Sequence, residues 1–302
     1  VKAALEAAGV HLASGAGDVA CVRVGWQRKA YTYPSLTPQQ GEAGHLKLNL
    51  YPDDWRDPAD RARFLDDLNP EIYTGDPVAF AELMALPLTT RPKALVSTAM
   101  ALLPGLRRQL QDRFGCPVVD LYSMNESGPI AARADDGPFA LLHHRLYVEV
   151  LDPEGAPCPP GVRGEVALTG GFNPFLPLLR YRTNDYAALG FRGRQPVLMD
   201  LEGRPPTLFR APDGRLLNTL DISGALKPLA LAQYQLHQSA AGALHLRLRG
   251  SDADAIQARA ALLGLFGADQ ALTLELAEAF EGAGGKVMQY TSDLLKRPLS
   301  SS

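Results

Sequence analysis

Residues 94–122 read ALVSTAMALLPGLRRQLQDRFGCPVVDLY. The run at 94–97 is short and apolar, as a buried strand requires. The pattern at 106–114 is helical, and Gly115 stops it, since glycine readily takes the left-handed backbone that ends a helix. Residues 117–122 then return to strand character. Strand, helix and strand in this order make a βαβ unit, whose two strands lie parallel. The same rhythm holds upstream. Residues 72–75 predict a strand, and Asp76-Pro77 opens a helix carrying Phe80, Leu83 and Met84. An Asp cap followed by Pro is a sound helix start. Phe64, Leu65 and Leu68 share one face of a helix predicted over 57–68, and residues 19–24 predict a further strand. Residues 41–50 alternate in part. Val1, Ala4, Leu5 and Ala8 lie on one helical face that Gly9 stops, so the sequence reads as a domain entered partway.

The texture changes after Gly128. Residues 146–152 (LYVEVLD) alternate, residues 152–161 (DPEGAPCPPG) are turn chemistry, and residues 163–169 (RGEVALT) form another strand. Short strands between Gly/Pro turns predict a β-rich, antiparallel or barrel-like subdomain. A second shift falls at 203–214 (GRPPTLFRAPDG). Beyond it the predicted order is helix (221–231), strand (233–238), strand (243–248), helix (253–266) and strand (271–277). The expected fold class is therefore α/β: a large domain with a mixed, largely parallel sheet and a β-rich subdomain, then a small C-terminal α+β domain. The expected boundaries are 1–203 and 204–302.

Composition narrows the function. Over 302 residues, 46% hydrophobic and 21% charged is globular usage. No apolar run approaches the roughly 18 residues that a membrane-spanning helix needs. The net charge is −3 and no basic tract stands out, which argues against a nucleic-acid partner. Cys21, Cys116 and Cys158 lie far apart and form neither a disulfide framework nor a CxxC knuckle. A reducing, cytoplasmic setting fits them.

Four segments carry candidate chemistry. In YSMNESG (122–128) the polar residues follow a strand, and ligands of open α/β sheets bind at carboxyl ends of strands. There Tyr122 offers an aromatic face for a base, Asn125 an amide, and Glu126 an oxygen ligand for a hard cation such as Mg²⁺. In PLLRYRTND (177–185) Asp185, read as a loop residue, can accept two ribose hydroxyls with its two carboxylate oxygens. Arg204 in Gly203-Arg204 can pair with phosphate. In GAGGK (282–286) the glycines leave Lys286 on an arm. This is no P-loop, since Phe280 stands at the first glycine position and Val287 at the Ser/Thr position. The His143-His144 pair reads as structural, because strand neighbours face opposite sides. His237 reads as a strand residue, and no GxSxG elbow is present.

Taken together, these segments resemble the adenylate-forming enzymes, most of all the branch of phenylacetate–coenzyme A ligase and the CapK-like proteins. YSMNESG stands where that family has Tyr-Gly-x-Thr-Glu. RGEVALT, Asn173 and PLLRYRTND stand where it has a Gly-Glu strand and Tyr-Arg-Thr-Gly-Asp. GR at 203–204 and DG at 213–214 resemble its crossover, and YQLHQ (234–238) through GGK its C-terminal domain. The resemblance covers most of residues 70–290. It implies that Tyr122 and Asn125 meet the nucleotide, with Tyr122 stacked on adenine. It also implies that Glu126 holds Mg²⁺, that Asp185 binds the ribose and that Arg204 lies near ribose or phosphate. Lys286 would swing in during acyl-adenylate formation. Ser97, Ala99, Met100, Ser123 and Met124 would line the acid pocket. The implied substrates are ATP and a small aryl or other hydrophobic carboxylate. The implied acceptor is the thiol of coenzyme A or of a phosphopantetheine-bearing acyl carrier protein. Asn125 and Asn184 depart from the family's Thr and Gly, and Pro205-Pro206 replaces its acidic hinge. No acidic residue follows the 94–97 strand, and no Ser/Thr/Gly-rich phosphate loop occurs in these residues. In the family that loop lies upstream of the part this chain resembles. A clipped ligase and a non-catalytic nucleotide-binding or scaffold derivative both fit that departure.

Overall fold

The structure is a computed structural model, and it describes residues 1–27, 30–142, 145–171, 173–203, 207–278, 280 and 288–293. It divides into two compact units, Val1–Leu102 with Arg107–Arg204, and Leu103–Leu106 with Pro205–Ser302.

The elements up to Gly203, all in the first unit but for the first three residues of α4, run α1 (Lys2–Ala7), β1 (Val19–Gly25), β2 (Tyr33–Thr37), β3 (Ala43–Asn49), α2 (Asp60–Leu68), β4 (Ile72–Gly75), α3 (Pro77–Ala85), β5 (Ala94–Ser97), α4 (Pro104–Phe114), β6 (Val118–Met124), β7 (Gly128–Arg133), β8 (Phe139–Leu141), β9 (Leu146–Leu151), β10 (Arg163–Gly170), β11 (Leu178–Arg192) and β12 (Gln195–Gly203). All twelve strands belong to one sheet, in the order β2-β3-β1-β4-β5-β6-β7-β8-β12-β11-β10-β9. β3, β1, β4, β5 and β6 are parallel. From the β6–β7 pair onward every pairing is antiparallel. The β-rich region thus continues the parallel sheet through hydrogen bonds, yet it keeps its own apolar core of Ile130, Phe139, Val148, Val166, Leu168 and Leu198, among others.

Local chemistry explains the element ends. The Asp76 side chain accepts from the Ala79 amide (2.8 Å) and caps α3 ahead of Pro77, as the sequence predicts. α2 starts at Asp60, not at 57, because Asp57 and Pro58 form a turn in which Asp57 accepts from the Ala59 amide. β2 escapes sequence reading because it holds Pro34, and proline belongs on edge strands. Gly75 and Gly164 are set by close approach. A Cβ at Gly75 would lie 2.9 Å from Val24 Cγ2, and one at Gly164 would lie 2.3 Å from the Leu151 carbonyl oxygen.

A buried charge cluster joins α4 to β6 and β7. Arg107, 2% exposed, places a guanidinium nitrogen 3.6 Å from Asp120. Arg133 donates twice to the same Asp120 oxygen, at 2.9 and 3.1 Å. Burial pushes the Asp120 carboxyl up, against the pull of the two arginines.

The second unit comprises β13 (Phe209–Arg210), β14 (Leu216–Leu217), α5 (Thr219–Leu226), β15 (Gln233–Gln238), β16 (Leu244–Arg249), α6 (Asp252–Phe266), β17 (Leu272–Leu276) and β18 (Tyr290–Ser292). β17-β16-β15-β18 form a four-stranded sheet. Its core gathers Phe209, Leu226, Leu236, Leu246, Leu262 and Phe266 with further aliphatic residues. Ser251 and Asp254 form a capping box on α6. α5 ends at Leu226, short of the predicted 231, because Pro228 disfavours helical backbone at Lys227. Among the described residues, no helix is long and apolar enough to cross a membrane.

Candidate functional site

The site grows from a three-residue hairpin. β6 runs on to Met124, two residues past the predicted end, and pairs with β7 so that Met124 faces Gly128. Asn125, Glu126 and Ser127 make the turn, and Gly128 takes φ +72°. A glycine in the left-handed region after a short loop is the usual way to close such a hairpin. Glu126 therefore sits at a hairpin tip. It accepts a long hydrogen bond from the Tyr181 hydroxyl (3.5 Å).

Asp185 comes from β11, which corrects the loop reading. The stretch RYRTND shows no alternation because β11 is irregular there. Arg180 and Asn184 have φ +44° and +61°, and the β10–β11 register shifts twice. Asparagine tolerates this backbone better than most residues, so Asn184 can stand where the resembled family has Gly. Neighbours hold the kink in place. Glu165, 8% exposed on β10, accepts from the Asn184 amide (3.1 Å) and from Arg182 Nε (2.7 Å). The Thr183 hydroxyl donates to the Val166 carbonyl (2.9 Å) and accepts from the Asp185 amide (3.1 Å).

The kink turns Asp185 toward Tyr122, whose hydroxyl donates to Asp185 Oδ2 at 2.7 Å. Two residues 63 positions apart in the chain thus meet. Burial, and then the Asp185 charge, push the Tyr122 phenol far up, so it stays protonated and remains a donor. The Tyr122 ring packs on the β-rich core, as does Met124.

Two cavities open in this unit. The first, about 350 Å³, is lined by residues 125–128 and 173–175, so Glu126 and Asn173 share it. The second, about 80 Å³, lies at the carboxyl ends of β1, β3, β4 and β5, and Thr98 and Ala99 line it. Ala99 has φ +69°, a strained value for alanine of the sort that clusters at functional sites. Ser97 is fully buried, and its hydroxyl has no hydrogen-bond partner among the described residues. Met100 and Ser123 line neither cavity. Arg204, Lys286, the Pro205-Pro206 pair and His143-His144 lie outside the described residues. Sequence reasoning missed Glu165 as the support of Asp185 and Tyr181 as the partner of Glu126. Both stand within quoted motifs, but only the three-dimensional structure shows what they touch.

The residues present fit a hard cation held in part by substrate. Among the described residues, no group of three or more His, Cys, Asp or Glu side chains is placed to hold a metal ion. Mg²⁺ commonly takes one or two carboxylates and completes its shell with water and phosphate oxygens. Glu126, whose one described hydrogen bond is the long one from Tyr181, suits that role.

The family model described as AMP-binding enzyme matches residues 46–173. A phenylacetate–coenzyme A ligase of Pseudomonas putida is 37% identical over 90 residues, which are 28% of this chain and 20% of that protein. The Escherichia coli (strain K12) phenylacetate–coenzyme A ligase is 33% identical over 90 residues, again 28% and 20%. The match thus spans a fifth of the length of these curated relatives. Among solved structures, a 2-hydroxyisobutyryl-CoA ligase in a postadenylation state gives a TM-score of 0.67 at 18% identity, covering 97% of this chain and 69% of that one. An anthranilate CoA ligase, AuaEII, in complex with anthranoyl-AMP gives 0.59 at 14% identity, covering 89% and 58%. These likenesses support the fold described above.

Proposed function

Since the chain belongs to the adenylate-forming superfamily, we propose that the full natural protein is an ATP-dependent, AMP-forming acid–thiol ligase. A carboxylate attacks the α-phosphate of ATP, the P–O bond to pyrophosphate breaks, and an acyl-adenylate forms. A thiol then displaces AMP to give a thioester. The thiol is that of coenzyme A or of a carrier-protein pantetheine. By resemblance the acid is aryl or otherwise hydrophobic, a class refined below by the chemistry of the second cavity. The cytoplasm is the setting proposed for it.

The roles are those that the resemblance implies for the matching positions, and their chemistry is consistent. Asp185 accepts the ribose hydroxyls, and Tyr122 orients the carboxylate from behind while its ring lies toward the base. Asn125 stands beside the nucleotide at the same hairpin. Glu126 would hold Mg²⁺, which supplies neutralisation of phosphate charge. Arg204 pairs with ribose or phosphate, and Lys286 meets the charge that develops on the transferring group. Ser97, Ala99, Met100, Ser123 and Met124 remain the proposed surroundings of the acid. The observation that carries this reading is the Tyr122–Asp185 hydrogen bond, which brings two separate motifs to one point beside the Glu126 hairpin.

The test is nucleotide titration of the full natural chain with Asp185→Ala. The substitution removes a charged acceptor from two hydroxyls, so ATP affinity should fall at least tenfold. Unchanged affinity would remove Asp185 from the ribose role.

A further inference from the structure

The second cavity carries an arrangement that folding does not explain. β1 is an inner parallel strand, with β3 on one side and β4 on the other. The chain leaves β1 toward β3 and then crosses to β4 on its opposite side. That makes the β1/β4 boundary the point where the strand order reverses. Ligands of open α/β sheets bind outside the carboxyl ends of strands at such a point.

Inner parallel strands are normally covered and apolar on both faces. Here Arg23 of β1 is exposed. In register with it stands Lys47 of β3, so two cations lie side by side on one sheet face. Like charges facing each other across strands are destabilising. Arg23 makes no side-chain hydrogen bond or ion pair among the described residues. Lys47 has the Tyr33 ring as its described partner, with the ammonium 5.9 Å from the ring centre. His45, two residues back on the same face, is held below the ordinary imidazole range by burial and then by the Arg23 charge. Asp76, the one carboxylate of the lining among the described residues, caps α3. Arg23, Lys47 and Asp76 leave a positive balance. Gln27 and Thr98 add neutral polar groups, the Asn49 amide is already bonded to Gln27, Tyr51 and Asp54, and strained Ala99 closes the wall.

We propose that this cavity is a subsite for a second anionic group on the acid substrate, received by Arg23 and Lys47. The proposal rests on the adenylation reading and refines its substrate class. The acid is dicarboxylic or carries another negatively charged group, rather than being purely hydrophobic. A guanidinium can take a carboxylate through two parallel hydrogen bonds, which gives direction as well as charge. The bound anion would also relieve the Arg23–Lys47 repulsion. The cavity lies on the same carboxyl edge as Tyr122, because β5 and β6 are neighbours in the sheet.

The experiment uses the full natural chain and acid-dependent exchange of labelled pyrophosphate into ATP. Acids are compared as matched pairs, succinate with butyrate and isophthalate with benzoate. The readout is the ratio of kcat/KM within each pair. The diacid should be favoured at least tenfold in one pair, and Arg23→Gln or Lys47→Gln should collapse that ratio at least tenfold. Arg23 is exposed and faces a like charge, so its variant should melt at the wild-type temperature or slightly above it, and Lys47→Gln is the second check. Equal use of mono- and diacids would overturn the proposal and leave the adenylation reading standing. A diacid preference that survives both variants would overturn it too. If no acid supports exchange, the adenylation reading fails, and calorimetric titration with isophthalate decides the subsite alone. Saturable binding that Arg23→Gln weakens tenfold upholds an anion site, and no binding overturns it.

Discussion

Replacing Tyr122 by Phe removes one atom from the centre of the site. The lost hydroxyl donates to an ionised carboxylate at 2.7 Å, and its ring is packed on the β-rich core. Hydrogen bonds to charged groups contribute roughly 1.5–3 kcal/mol, so a loss of about 2 kcal/mol is expected. The ring remains, so no cavity forms. A unit of roughly 200 residues shifts its melting temperature by about 2–4 °C per kcal/mol, which gives a fall of about 4–8 °C. ATP affinity should drop about 5–30-fold, because Asp185 loses the group that orients it. The phenol stays protonated well above neutrality, so the melting difference should be the same at pH 7 and pH 9. Thermal unfolding and calorimetric ATP titration of the full natural chain measure both effects. An unchanged melting temperature together with unchanged affinity would refute the reasoning.

Other outcomes can be checked in parallel. Asp120→Ala leaves the buried Arg107 and the adjacent Arg133 without their shared carboxylate. It should destabilise the first unit by about 3–5 kcal/mol in urea unfolding. Asn184→Gly should lie within about 0.5 kcal/mol of wild type, whereas Asn184→Val should lose at least about 1 kcal/mol, since a β-branched residue resists left-handed backbone. Burial alone would raise the Glu71 carboxyl, but hydrogen bonds from Lys93, Ser14 and two backbone amides outweigh it and bring it down to about 2 from 4.5. A depressed carboxylate stabilises the fold above its unfolded pKa and loses that effect as pH falls through the folded one. Glu71 should therefore contribute about 2 kcal/mol above pH 4.5, after allowance for the half-exposed Lys93, and nothing below about pH 2. Glu71→Gln should flatten the stability-against-pH curve in that window.

The parts of this molecule that sequence reveals are those governed by short-range rules. The Asp76-Pro77 cap, the Gly115 stop and the apolar runs at 72–75 and 94–97 each encode their own geometry, and the parallel half of the sheet follows from them. Within the region from 128 to 203, residues 146–152 and 163–169 were legible as strands. That the region extends the same sheet was not, because strand order is a long-range property. β11 was hidden since its positive-φ residues break the alternation that identifies strands. Tyr122, Glu126 and Asp185 stood out by residue type and order. Their contacts did not, because the Tyr122–Asp185 bond depends on a kink that Glu165 holds from a neighbouring strand. The Arg23–Lys47 pair was invisible for a similar reason. The two residues are 24 positions apart, and only the β1–β3 register makes them neighbours.

Acid-dependent exchange of labelled pyrophosphate into ATP, measured on the full natural chain beside its Lys286→Ala variant, tests the central claim most directly. An adenylate-forming ligase incorporates label only when a suitable acid is present, and the variant should lose at least a hundredfold of that rate while melting at the wild-type temperature. ATP binding without any exchange, over a panel of mono- and dicarboxylic acids, would contradict the claim and mark the protein as a non-catalytic nucleotide binder.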